Sequence, residues 1–126
     1  MKIEHLAIWV NDLEAMRAFY EQYFQAQAGE KYHNPKKQFT SYFLTFSSGC
    51  RLELMHRPDI NDQGSEERIG ITHIAIAVGS KEEVDEMTAQ FREDGFQVVG
   101  EPRTTGDGYY EIVMLDLEGN RIELTV

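Results

Sequence analysis

Ile3-Glu4-His5-Leu6-Ala7-Ile8-Trp9-Val10 is answered later in the chain by Ile71-Thr72-His73-Ile74-Ala75-Ile76-Ala77-Val78. The offset is 73 − 5 = 68, and five of the eight positions are identical. Self-similarity at a fixed spacing sets the size of the repeating unit, so it precedes any assignment of helices and strands. At the same offset Asp12 falls on Ser80, both good helix N-caps, then Met16 on Val84, Phe19 on Met87 and Tyr23 on Phe91. A second match closes each copy: Gly49-Cys50-Arg51-Leu52-Glu53-Leu54 against Gly119-Asn120-Arg121-Ile122-Glu123-Leu124. Its offset is 123 − 53 = 70, so the second copy gained two residues between its ends. The chain reads as one domain over 1–126 made of two repeats, a first module over 1–57, a polar linker over 58–70 and a second module over 71–126.

Both copies share one order of elements. A strand of about eight residues with alternating side chains opens each. A helix follows, from Asp12 to about Ala26 and from Ser80 to Asp94. The second helix carries a capping box, Ser80-x-x-Glu83, and a stop at Gly95. Leu13, Met16, Tyr20, Tyr23 and Phe24, and in the repeat Val84, Met87 and Phe91, follow the spacing of a packed helix face. Three short strands are expected after each helix, near Glu30–Tyr32, Ser41–Phe46 and Arg51–His56, then near Gln97–Gly100, Tyr109–Asp116 and Arg121–Val126. Gly106-Asp107-Gly108 and Glu118-Gly119-Asn120 are turn chemistry between strands. Each module is thus βαβββ, an α+β fold.

The 126 residues suffice to bury roughly two-thirds of the unfolded chain's surface without a cross-link. With 12 Lys+Arg against 22 Asp+Glu the net charge is −10, which disfavours nucleic acid and anionic membranes as partners. The longest apolar runs, Leu6 to Val10 and Ile74 to Val78, are of strand length, so no membrane span is expected. The opening residues meet Asn11-Asp12 too early for a signal peptide, and Cys50 alone forms no intrachain disulfide, so a cytoplasmic location is expected.

Strand alternation sorts the faces of each sheet. Leu6, Ile8 and Val10, like Ile74, Ile76 and Val78, are uniformly apolar and are assigned to the helix side, as are Leu52, Leu54, Ile122 and Leu124. The other face then carries His5, Ala7 and Trp9 with Arg51, Glu53 and Met55 in one copy. In the second copy it carries His73, Ala75 and Ala77 with Arg121, Glu123 and Thr125. Each module offers one imidazole and one carboxylate on the face its own helix leaves open. If the two modules pair through those faces, His5, Glu53, His73 and Glu123 converge as a site for one divalent metal ion. Imidazole nitrogen and carboxylate oxygen suit Zn, Ni, Co, Fe or Mn. Neighbouring residues have drifted between the copies, Trp9 against Ala77, while the His and the Glu persist in both.

At these residues the sequence resembles the vicinal oxygen chelate superfamily, which includes glyoxalase I (lactoylglutathione lyase), fosfomycin-resistance proteins, extradiol dioxygenases and bleomycin-resistance proteins. The resemblance rests on His5-Leu-Ala-Ile-Trp-Val-Asn-Asp-Leu13 with Phe19-Tyr20, on Thr72-His73-Ile-Ala-Ile-Ala-Val78, and on Asp116-Leu-Glu-Gly-Asn-Arg-Ile-Glu-Leu124. It implies paired βαβββ modules forming a curved, cup-like mixed sheet around one metal ion. The ligand order His5, Glu53, His73, Glu123 is similar to that of glyoxalase I; fosfomycin-resistance enzymes and extradiol dioxygenases usually lack a ligand at the place of Glu53. The implied chemistry is lyase or isomerase chemistry on a glutathione–2-oxoaldehyde hemithioacetal, a detoxification. Glu123 would be the base, Glu53 a ligand or the base for the other stereoface, and the ene-diolate would be held by the metal as Lewis acid. Short members of the family commonly use nickel or cobalt and associate as homodimers, which the resemblance extends to this chain.

Two positions depart from glyoxalase I. Trp9 stands where that family has an arginine for a glutathione carboxylate, and Arg57 where it has an asparagine. Trp9 could stack on a flatter substrate and Arg57 could supply a nearby cation. The alternatives are a different enzyme of this superfamily, of fosfomycin-resistance or dioxygenase type, and a protein that sequesters a small toxin or antibiotic, with or without metal. Tyr109 and Glu111 are expected to share one strand face and to contact substrate, with Tyr110 on the other. His56 alternates away from Glu53, and His33 is expected in a polar loop, Tyr32 to Lys37.

Overall fold

The structure, a computed structural model, describes residues 1–61, 69–106 and 108–126. The chain divides into two compact units, Met1–Gly64 and Ser65–Val126. Most of the expected linker, and Asp107 of the expected Gly106-Asp107-Gly108 turn, lie outside the described residues.

The first unit runs β1 (His5–Trp9), α1 (Leu13–Phe24), β2 (Gln27–Ala28), β3 (Tyr32–Asn34), β4 (Phe39–Thr45) and β5 (Arg51–His56). Its sheet has the order β1-β5-β4-β2, with β3 also pairing β4. The second unit runs β6 (Ile74–Ala77), α2 (Lys81–Glu93), β7 (Val98–Thr104), β8 (Tyr110–Leu115) and β9 (Arg121–Thr125), ordered β6-β9-β8-β7. In both units the first strand lies parallel to the last, Ala7 opposite Glu53 and Ala75 opposite Glu123. Parallel neighbours need a long crossover, which the helix and the antiparallel strands of each unit supply. The opening strands are shorter than the eight expected residues. In place of a strand at Glu30–Tyr32 there are two short ones, β2 and β3. His33 therefore lies in a strand rather than a loop, and it is exposed.

Both helices start where their caps predict. The Asp12 carboxylate accepts from Ala15 N at 2.9 Å, and the Ser80 hydroxyl from Glu83 N at 3.2 Å. The end of α2 is a Schellman turn: Phe96 N donates to Phe91 O, Gly95 N to Arg92 O, and Gly95 takes φ +85°. The Phe91 and Phe96 rings meet edge to face across it. The first helix ends with Gln25 in the left-handed region at φ 54°, a place usually held by glycine.

The core of each unit lies between helix and sheet. Leu13, Met16, Phe19 and Tyr20 of α1 close over Leu44, Leu52 and Leu54, and Val84 and Phe91 of α2 over Ile112, Met114, Ile122 and Leu124. Each such side chain contributes about 1.5–3 kcal/mol by leaving water. One expected core position moves: Met87 is half-buried and Thr88 takes the buried place. Its hydroxyl donates back to Val84 O at 2.6 Å, which satisfies the polar group inside the core.

The β8–β9 turn places Glu123. Asp116 Oδ1 accepts from Glu118 N and Asn120 N at 3.0 and 2.9 Å, Oδ2 accepts from Asn120 Nδ2 at 2.9 Å, and Gly119 adopts φ +84°. This loop sets Leu115 opposite Arg121, and hence Val113 opposite Glu123. Asp116→Ala is expected to destabilise the protein by about 2 kcal/mol, as a lower urea midpoint, because it strips two backbone donors and one side-chain amide of their acceptor.

Candidate metal centre

In the first unit His5 opens β1 and Glu53 lies in β5, on the face turned away from Leu52 and Leu54. Their strands are neighbours, so His5 Nε2 comes within 3.9 Å of Glu53 Oε2, with side chains 40% and 14% exposed. The Phe43 ring packs edge-on against the imidazole at 5.3 Å. His5 Nδ1 lies 2.5 Å from Glu4 Oε2, and Glu4 Oε1 accepts from Arg51 Nε at 2.8 Å. Hydrogen bonds from His5 and then Arg51 hold the Glu4 carboxyl below the usual glutamate value.

The second unit repeats the arrangement. His73 immediately precedes β6, Glu123 lies in β9, and His73 Nε2 stands 3.6 Å from Glu123 Oε2, with side chains 41% and 17% exposed. Here a second carboxylate crowds the first. Glu111 is buried, accepts from Arg103 Nη2 at 3.2 Å, and sits beside Glu123. Burial raises the Glu123 carboxyl above its ordinary value, and so does the Glu111 charge, against the opposing pull of His73 and Arg103. On the same strand face, two residues beyond Glu123, Thr125 Oγ1 is buried with no hydrogen-bond partner among the described residues.

The donors fit a divalent transition ion. An ion about 2.1 Å from both a nitrogen and an oxygen spans donors up to about 4.2 Å apart, so each pair can share one ion with little movement. Among the described residues no group of three or more His, Cys, Asp or Glu stands together as a metal site. What each unit supplies by itself is half of the expected four-residue set.

The other sequence candidates divide. Trp9 and Arg57 come together: the guanidinium lies 5.5 Å from the indole ring centre, and Arg57 also pairs with Asp59 through Nε and Nη2 at 2.5 and 3.0 Å. Phe39 meets Trp9 edge-on at 6.1 Å, and Tyr32 meets Phe39 at 6.0 Å. Glu111 joins Glu123. Tyr109 does not share its strand face: it precedes β8, is exposed, and its N–H donates to Thr105 Oγ1 at 3.1 Å in the turn. Tyr110 belongs to the helix side, its hydroxyl donating to Asp85 at 2.6 Å and its ring under Lys81 Nζ, and Asp85 keeps its phenol above the usual value. His56 Nδ1 bonds the Val10 carbonyl at 2.9 Å, consistent with a place outside the ligand set. Sequence reading placed Arg51 on the face of the first pair and missed Glu4, Phe43 and Arg103 as neighbours of the pairs. The one local signal was a glutamate directly before His5.

Comparison with known proteins agrees with this architecture. The profile of the Glyoxalase/Bleomycin resistance protein/Dioxygenase superfamily matches residues 2–124. The uncharacterized protein YqjT of Bacillus subtilis (strain 168) is 27% identical over 127 residues, covering 97% of this chain and 96% of its own length. Glyoxalase I of Leishmania major, a trypanothione-dependent enzyme, superposes with a TM-score of 0.79 at 27% identity, over 98% of this chain and 85% of that one. A glyoxalase family protein from Enterococcus faecalis superposes with a TM-score of 0.82 at 23% identity, over 99% and 97% of the two chains. Glyoxalase I of Zea mays shares the fold with a TM-score of 0.79 at 23% identity, this chain covering 44% of its length. A profile match over nearly the whole sequence and a repeated His–Glu pair on each sheet's open face lead to one conclusion: the chain belongs to the Glyoxalase/Bleomycin resistance protein/Dioxygenase superfamily.

Proposed function

We propose that the protein is a metal-dependent enzyme of glyoxalase I type, performing isomerase or lyase chemistry on a small oxygenated substrate such as a thiol-conjugated 2-oxoaldehyde. The observation that carries this reading is the pair formed twice: an imidazole from the first strand and a carboxylate from the last, donor atoms 3.9 and 3.6 Å apart. His5, Glu53, His73 and Glu123 would hold one divalent ion, Ni, Co, Zn, Mn or Fe, with the pairs meeting within one chain or across a homodimer. When bound, such an ion supplies a Lewis acid that lowers the free energy of negative charge developing on substrate oxygens.

The remaining steps fall to side chains. Glu123 takes the proton next to the substrate carbonyl and returns it to the neighbouring carbon. Its burial and the adjacent Glu111 act toward a more basic carboxylate, the property a proton acceptor needs. Arg103 balances the Glu111 charge from the neighbouring strand, and Glu53 remains a ligand or serves the opposite stereoface. Thr125 Oγ1 offers a hydroxyl to a substrate oxygen. Trp9 and Arg57 favour a substrate with a flat or anionic portion over the glutathione contacts typical of glyoxalase I, and glutathione itself remains one candidate thiol. The exposed Trp9, with Phe39 and Tyr32 behind it, also favours a second reading, retention of a flat ligand without chemistry.

Turnover separates the two. Hemithioacetals of methylglyoxal with glutathione and with other low-molecular-weight thiols are assayed with added Ni, Co, Zn or Mn. Metal-dependent loss of at least one conjugate is expected. No consumption with any thiol and any of these ions would sink the glyoxalase-type reading.

A further inference from the structure

The two His–Glu pairs are alike, but their surroundings differ. Glu4 stands directly before His5, whereas Thr72 stands before His73. His5 Nδ1 lies 2.5 Å from Glu4 Oε2. The other oxygen of Glu4 is held by Arg51, through Nε at 2.8 Å and Nη2 at 2.5 Å. Arg51 is itself fixed: its N–H donates to the Glu4 carbonyl at 3.0 Å, and its guanidinium lies 4.1 Å from the Phe43 ring centre. That same ring packs edge-on against His5. The imidazole is thus gripped on one edge by a carboxylate and against its side by an aromatic ring, both steadied by one arginine.

An ionised carboxylate can only accept, so the hydrogen on this edge belongs to Nδ1 of His5. In neutral imidazole the lone pair then resides on Nε2, the nitrogen that faces Glu53. We propose that Glu4, anchored by Arg51, is a positioning residue that locks His5 in its Nδ1–H tautomer with the Nε2 lone pair presented for metal ligation. The proposal rests on the metal-site reading above and extends it, because it makes the first unit's half-site pre-organised, while among the described residues no carboxylate holds the other edge of His73. Outer partners of this kind typically change metal affinity 10–100-fold when removed.

The test reads the tautomer in the metal-free protein first. Two-bond proton–nitrogen spectra of ¹⁵N-labelled protein are recorded under conditions where the imidazoles are neutral, for wild type, Glu4→Ala and Glu4→Gln. Wild type is expected to show His5 with a protonated Nδ1 and a bare Nε2. Glu4→Ala shifts His5 toward the Nε2–H form, and Glu4→Gln, whose amide oxygen still accepts, restores part of the wild-type pattern. Glu4 is exposed, so urea midpoints of the three proteins are expected to agree. Titration with Ni²⁺ then shows affinity about 10–100-fold weaker in Glu4→Ala, with an intermediate value in Glu4→Gln. A His5 pattern unchanged by Glu4→Ala, or Ni²⁺ affinity unchanged while the pattern moves, overturns the proposal. Failure of wild type to bind any divalent ion is a separate result: it overturns the metal reading, whatever tautomer His5 adopts.

Discussion

Replacing His73 with alanine is expected to abolish tight metal binding and turnover together while leaving the fold intact. His73 precedes β6 and is 41% exposed, so its ring supports no core packing, and the metal-free variant should unfold within about 0.5 kcal/mol of wild type. Its Nε2 is the nitrogen donor of the second unit's pair, and its removal leaves only three of the four proposed ligands. Losing a direct ligand weakens binding by more than the roughly 100-fold seen when outer partners are lost. Metal content by mass spectrometry after dialysis, beside a urea curve on the same sample, checks both halves of this expectation. Retention of a full complement of metal by His73→Ala would exclude the residue from the site.

Glu123→Gln separates holding a metal from moving a proton. The amide keeps an oxygen near His73 but is no longer a base, so turnover is expected to fall about 10²–10⁴-fold with metal still bound. The same substitution has a signature in the metal-free protein. Burial and Glu111 put the folded-state value of the Glu123 carboxyl above its unfolded value near 4.5. The ionised carboxylate is therefore less comfortable folded than unfolded. That penalty is absent at low pH, appears as pH rises through the unfolded value, and is complete above the folded one. Removing the charge relieves it, so metal-free Glu123→Gln is expected to be more stable than wild type at pH 7, by about 0.2–1 kcal/mol for a close like-charged pair. The advantage shrinks as pH falls through the raised folded-state value and is largely gone below about 4.5, where the carboxyl is protonated in both states. Urea midpoints at pH 7 and pH 4 measure the difference; an advantage that grows toward pH 4 would contradict it.

Alternation alone places the candidate residues Glu53 and Glu123 on their sheet faces. Leu52 and Leu54, Ile122 and Leu124 are buried against the helices, which leaves Glu53 and Glu123 on the opposite faces as expected. The caps Asp12 and Ser80 and the stop at Gly95 are local chemistry and lie where local chemistry puts them. What alternation does not carry is adjacency. His5 and Glu53 meet because the first and last strands of a unit pair in parallel, a contact across almost the whole unit that no local pattern encodes. The grip of Glu4 on His5 depends on the same register, since it places Arg51 opposite His5. Thr88 was hidden because its hydroxyl satisfies itself within the helix, which lets a polar residue occupy a core position. Tyr109 was misplaced by one residue at a strand end. There the turn bonds with Thr105, rather than side-chain alternation, decide where the ladder begins.

The proposed function turns on whether His5, Glu53, His73 and Glu123 together bind one divalent ion. Chelator-treated protein titrated calorimetrically with Ni²⁺, Co²⁺, Zn²⁺ and Mn²⁺ tests it most directly, with His5→Ala and His73→Ala run alongside. One ion per chain is expected for at least one metal, with binding lost in either variant, because neither pair suffices alone. Two ions per chain, binding that survives both substitutions, or no binding of any of the four ions would contradict it.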